Sequence, residues 1–246
     1  MAREKIWILA LAAAAGCCAS AQAGLMGDPL TIHAVSADGK TADWSLTSAA
    51  GTWQAENWNW KLGTTIDLRS SDGQLLAQVS KLEVGYIADP VISLGFLVTA
   101  GATDTTFTIT SAQMTFSTIN GAIARASGAI TSTDLDGNGG FQTGLYAGVK
   151  SYTAHLNGPV GGAGTDFGVL VNATKMGSYE STTTSEAKPA VGYLAAGNVS
   201  SMQSAFSFKV SANDEASGTS VFVVVPTPGA GLLAGLGTLV AMRRRR

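Results

Sequence analysis

The 246-residue sequence predicts an all-β protein, a single jelly-roll-like β-sandwich with a C-terminal hydrophobic helix outside the domain, and three observations carry that prediction. Short segments alternate apolar and polar residues with the period of two that marks a half-buried strand. Glycine and polar turn residues separate these segments, and the chain holds 30 glycines for such turns. Between the two ends of the chain, no segment repeats apolar residues at the helical period of 3.6 with caps. A chain of this length suffices to bury one sandwich core.

The strands follow in order from Gly24. Leu30, Ile32 and Ala34 alternate with Thr31 and His33, and a second strand is expected around Trp44 and Leu46 after the turn at Asp38-Gly39. In Val91 to Val98, Ile92, Leu94, Phe96 and Val98 share one face, and Pro90 stands just ahead, where a proline costs the ladder no donor. Phe107 and Ile109 then occupy odd positions whereas Met114 and Phe116 occupy even ones, so the buried face changes phase near Ser111. One inserted residue moves every later side chain to the opposite face, which predicts a bulge or a crossing between sheets there. Ala122 to Thr133, Tyr152 to Leu156, Phe167 to Val171 and Met202 to Val210 complete the expected strands. The polar stretch Gly177 to Pro189 reads as an exposed loop, and Ala212 to Ser220, without apolar periodicity, as a polar tether. The domain is thus expected over residues 24–211.

The two ends differ in kind from the middle. Residues 1–23 begin with Arg3 and Lys5, continue through IWILALAAAAG and end in Ala21-Gln22-Ala23, a pattern that predicts a signal peptide cleaved after Ala23. The apolar run is too short to span a bilayer; lipidation at Cys17 is the other reading of this segment. Cys17 and Cys18 are the only cysteines, so the domain has neither a disulfide framework nor a cysteine-based zinc site. Charged residues make up only 13% of the chain. Six of its 15 basic and one of its 17 acidic residues lie in the end segments, which leaves the middle at about −7 and without the basic clusters that nucleic acid requires.

The tail, residues 221–246, joins Pro226-Thr227-Pro228 to the apolar run 229–242 and to Arg243, Arg244, Arg245 and Arg246. Fourteen apolar residues make a helix of about 21 Å, short for a hydrocarbon core of about 30 Å. Val221 to Val225 would lengthen the apolar stretch but thread both prolines through it. The arginines belong on the cytoplasmic side. In its order of motif, apolar segment and basic end, this tail resembles the PEP-CTERM sorting signal of exported bacterial proteins, with Thr227 where the usual motif has glutamate. The middle resembles the β-rich proteins that carry such tails. That resemblance implies recognition by an exosortase-type membrane enzyme, transient anchoring in the inner membrane, and a place at the cell surface or in an exopolysaccharide or biofilm matrix.

Within the domain three groups of residues are candidates for chemistry. Trp53, Trp58 and Trp60 crowd together, and Trp58 and Trp60, two apart, would share a strand face. Two flat rings on one face serve either as a platform for pyranose rings, which would make the domain a carbohydrate-binding module for exopolysaccharide, or as core. Asp134, Asp136 and Asn138 match the first half of a calcium loop, but Leu145 stands where its bidentate glutamate belongs. An Asx-rich turn accounts for the same residues, so Ca2+ is a candidate ligand only and no other cofactor is expected. His33 and His155 are the only histidines and neither lies in a nucleophile or metal motif. A secreted hydrolase would need His155 or paired carboxylates in a cleft. The expected function is structural or adhesive rather than enzymatic.

Overall fold

The computed structural model describes residues 23–51 and 53–227, and strands account for most of them. They are β1 (Gly24–Ser36), β2 (Thr41–Leu46), β3 (Asn57–Lys61), β4 (Ile66–Arg69), β5 (Leu75–Ile87), β6 (Val91–Ala100), β7 (Thr105–Thr133), β8 (Gly140–Gly144), β9 (Tyr152–Leu156), β10 (Thr165–Leu170), β11 (Thr174–Met176), β12 (Ser181–Lys188), β13 (Leu194–Val210) and β14 (Glu215–Val225). A 3-10 turn at Ser48–Ala50 is the one helical element among the described residues, and none of them forms a helix long and apolar enough to cross a membrane. The fold is all-β, as the alternation predicts.

Strand β7 holds the sandwich together. The segments expected as separate strands on either side of Gly121 form one strand of 29 residues. Its first half pairs with β1 and β13, and its second half with β14 and β12. The first layer runs β2-β1-β7-β13-β9-β10, with β8 and β11 beside the end of β13. The second runs β12-β7-β14-β6-β5, with β3 and β4 both on β5. Between its halves β7 exposes Ser117, Thr118, Asn120 and Gly121, where it passes from one layer to the other. The facing apolar sides close on each other: Phe96 of β6 lies 5.0 Å from Phe206 and 5.3 Å from Phe208 of β13, and Phe167 of β10 lies 5.7 Å from Phe222 of β14. Offset and edge contacts of this kind add to the burial that drives the layers together.

The phase change near Ser111 is a bulge. Ser111 and Ala112 are consecutive and both buried, and the β13 register slips between Met202 and Ala205 opposite Met114 and Thr110, so β7 carries one extra residue there. A bulge takes a backbone N–H out of the ladder. Ala112 N–H finds its acceptor across the layers in the Tyr86 hydroxyl, at 2.8 Å, and that hydroxyl donates to the Pro29 carbonyl of β1. Tyr86 is therefore both core and a polar bolt between sheets.

Two segments depart from expectation. Residues 212–220 are not a tether, because β14 begins at Glu215 and lies between β6 and β7 in the second layer. Its inward residues start as Ala216, Gly218 and Ser220, small side chains that carry no apolar signal, and a Cβ on Gly218 would sit 2.4 Å from the Phe96 ring. Val221 to Val225, assigned to the sorting tail, end the same strand, so the domain extends to Val225 rather than to residue 211. The loop expected over residues 177–189 contains β12, an edge strand on β7. Thr131 and Thr133 meet Thr183 and Ser181 there through hydroxyl contacts of 2.8 Å. An edge strand with no buried face needs no apolar residues, so hydropathy does not reveal it.

Candidate functional site

Asp134 closes β7 and Asp214 precedes β14, so the two carboxylates meet at one pole of the sandwich although they are far apart in the chain. Asp136 completes the group, and one oxygen from each residue lies within 4.8 Å of the others. Asp134 is 2% exposed and Asp214 fully buried, whereas Asp136 is exposed. Backbone N–H groups converge on them: Tyr179 donates to Asp134 Oδ2 at 2.6 Å and Leu135 to Asp214 Oδ1 at 3.1 Å. The Ser211 hydroxyl donates to Asp214 Oδ2. Asp134 Oδ1 is buried and has no hydrogen-bond partner among the described residues. None of the ion pairs among the described residues includes any of the three.

These surroundings divide the two buried carboxyls. At Asp134 burial disfavours the charge, but the N–H groups of Tyr179 and Gly139 outweigh it and hold the carboxyl below its usual range. At Asp214 burial, reinforced by the neighbouring Asp134 charge, pushes the carboxyl up despite the Ser211 hydroxyl.

The Asx turn expected around Asp136 is present. Asn138 N donates to Asp136 Oδ1 at 3.2 Å, and Gly137 and Gly139 have φ of 80° and 78°, the left-handed region in which glycine pays no Cβ penalty. Asn138, exposed on the same loop, donates its Nδ2 to Asp136 Oδ2 at 2.9 Å and orients that carboxylate. The third acid is Asp214, which the reading of residues 212–220 as a tether had put outside the domain. The one available signal was the turn-forming Asn213-Asp214 pair itself.

The tryptophans answer differently from one another. Trp58 is 2% exposed and stands edge-on to Tyr86 at 5.7 Å, with Gly51 close against its indole. Trp60, on the same face of β3, is half-buried against the core and 5.7 Å from Trp44. The shared face is therefore the inner one, and of the two readings core holds for Trp58, whose enclosed indole has no free face for a sugar, while Trp60 lies at the rim of the same core. Trp53, half-buried, lines a cleft of about 870 Å³ with Glu56, Asp89 and Pro90. Ala23 and Pro226 line this same cleft, and Thr227 Oγ1 donates to the Gly121 carbonyl beside it. The chain thus enters and leaves the sandwich at one pole. β14 runs its 11 residues, roughly 35 Å, from that pole to the acidic cluster at the other.

The histidines are tied into hairpins. His33 and Asp43 are cross-strand partners on β1 and β2, with Nδ1 and Oδ1 2.6 Å apart. His155, 4% exposed, faces Asp166 Oδ1 at 2.8 Å through Nδ1 and the Ala163 carbonyl at 3.2 Å through Nε2. Both ring nitrogens meet acceptors of the β9–β10 hairpin. Of the sorting and cleavage residues, Ala23, Pro226 and Thr227 are placed at the cleft pole. Ala21, Pro228, the apolar run 229–242 with its expected helix, and Arg243 to Arg246 lie outside the described residues.

No known family matches this chain, and none of the curated proteins does. Among solved structures, the one described as the structure of infectious bursal disease virus Gx strain is 9% identical, covering 85% of this chain and 58% of that one at a TM-score of 0.23. The structure of the Gt strain is 10% identical over 92% of this chain and 73% of that one, at a TM-score of 0.12. This chain spans little more than half the length of the Gx-strain chain, and likenesses this weak carry no argument about its fold or activity.

Proposed function

We propose that this chain is an exported structural or adhesive protein of the cell surface or extracellular matrix, delivered by a cleaved leader and sorted through its C-terminal tail by an exosortase-type membrane enzyme. One observation supports it most: Ala23 and Pro226 line one cleft, so the leader and the tail join the sandwich at the same pole. A domain held there keeps its other pole and its outer sheet faces directed away from the membrane. The outer face of the second layer is broad and hydroxyl-rich, with Ser127, Thr131, Ser217 and Thr219 standing among glycines and alanines. Such a surface meets hydrated polysaccharide through many weak hydrogen bonds and without a strong charge field.

The intact mass of the protein from the cell-surface fraction tests this reading. Loss of residues 1–23 together with the apolar run and Arg243 to Arg246 is the expected result. Recovery of the entire tail on a freely soluble monomer refutes both sorting and anchoring. Carbohydrate binding is the second reading, and it rests on Trp53 with Glu56 and Asp89 in the cleft at the chain-end pole rather than on Trp58 and Trp60. It predicts that Trp53→Ala abolishes retention on the organism's own exopolysaccharide while the fold persists; unchanged retention would count against it.

A further inference from the structure

We propose that Asp134, Asp136 and Asp214 form a Ca2+ site that clamps the pole of the sandwich opposite the chain ends. Three carboxylates converge with oxygens within 4.8 Å of one another, and two of them are buried. The second observation is independent of that clustering: Asp134, 2% exposed, directs its carboxylate into the group and leaves Oδ1 buried with no hydrogen-bond partner among the described residues. An orphaned, desolvated carboxylate oxygen is costly unless a cation or a proton satisfies it. No ion pair among the described residues supplies the cation.

The donor set selects the ion. Every available donor is oxygen and three are carboxylates, which suits a hard cation. The acids sit on turns rather than on one rigid strand, so the site tolerates the flexible coordination of Ca2+ better than the strict octahedron of Mg2+. Backbone carbonyls and water would complete the shell of six to eight oxygens that Ca2+ takes.

The three acids also explain what the site would do. Asp134 and Asp136 belong to the β7–β8 loop and Asp214 to the β13–β14 turn. The β11–β12 turn joins them through Tyr179 N on Asp134 and Ser178 Oγ on the Gly137 carbonyl, at 2.6 Å each. One ion would lock three connections that otherwise hold two buried like charges together. The dissociation constant expected of a site with three carboxylates, one of them exposed, is about 0.1–1 mM, that of extracellular calcium modules. The inference does not depend on the sorting tail.

The test uses the full-length chain after chelation, titrated with CaCl2 from about 0.01 to 10 mM, a range that brackets this affinity class. The melting temperature is expected to rise by about 3–6 °C at ten times the dissociation constant. Asp214→Asn removes one of the two buried charges, so its metal-free melting temperature should equal or exceed that of the parent, and its calcium response should vanish. A merely structural Asp214 would show the opposite sign in the metal-free protein. Asp136→Asn, at an exposed position, leaves the fold intact and should raise the calcium midpoint at least about tenfold. Tb3+ bound in the site should show luminescence sensitised by Tyr179, whose ring packs against Gly137, and Tyr179→Phe should dim it without altering the thermal response. An unresponsive parent protein overturns the proposal. So does an equal rise with MgCl2 at the same concentrations, or an undiminished calcium response in both aspartate variants.

Discussion

Replacing Tyr86 by phenylalanine removes a single oxygen from the centre of the sandwich and tests how the two layers are joined. The ring is fully buried, so Phe fills the same space and no cavity forms. What is lost is the bolt to the β7 bulge and to the Pro29 carbonyl of β1. The Ala112 N–H loses the acceptor it meets at 2.8 Å, and the Pro29 carbonyl loses a donor. A buried N–H left without a partner costs about 1–3 kcal/mol, and the carbonyl adds about 0.5–1 kcal/mol, so the variant should be less stable by about 1.5–4 kcal/mol. Urea unfolding followed by tryptophan fluorescence measures this as a lower midpoint with an unchanged slope. Tyr152→Phe is the control, because its hydroxyl meets the Ser204 hydroxyl at 3.0 Å, and a rotatable hydroxyl finds new partners where a backbone N–H does not. Its cost should stay near 1 kcal/mol. If Tyr86→Phe costs less than about 0.5 kcal/mol, the bulge N–H is satisfied some other way and the reasoning fails.

The same control gives a pH prediction. Burial pushes the Tyr152 phenol up to about 12 from the ordinary 10.0, against the opposing Ser204 hydroxyl, so the unfolded chain ionises first. The stability it supports is present below pH 10 and lost as pH rises toward about 12, and Tyr152→Phe should flatten that alkaline loss in denaturation curves. Trp58→Ala should destabilise by about 3–5 kcal/mol in the same urea assay, whereas Trp60→Ala, at a half-buried position, should cost clearly less; equal, small effects would return both rings to the surface. Gly144→Ala would place a Cβ 2.1 Å from the Lys150 carbonyl carbon and 2.5 Å from Ser151 N. Backbone cannot rotate away as a side chain can, so a loss of about 3 kcal/mol or more is expected, and an unchanged melting temperature would rule out this close approach.

The alternation of large side chains determined the fold class by itself. Leu30, Ile32 and Ala34 mark β1 and Ile92, Leu94, Phe96 and Val98 mark β6, because residues two apart on a strand share a face and that face is buried. Even the phase slip at Ser111 was legible as a bulge or a crossing, since adding one residue must invert every later side chain, and the β13 register decides for the bulge. The signal failed where the inner face is small or the strand lies at an edge. Ala216, Gly218 and Ser220 conceal a central strand because the Phe96 ring fills the space their side chains leave, and β12 buries no face of its own. Leu75 to Ile87 was illegible for a third reason: its ladder with β6 slips between Val79 and Lys81, so Val79 and Leu82 are both buried and no single period fits.

For the candidate site the sequence supplied Asp134 and Asp136, together with the turn that bears them. Only the tertiary structure supplied Asp214, and only it turned Trp58 and Trp60 inward. Proximity across the sandwich depends on which strands pair, and pairing is decided by the summed burial of whole layers, a quantity no local window of sequence contains.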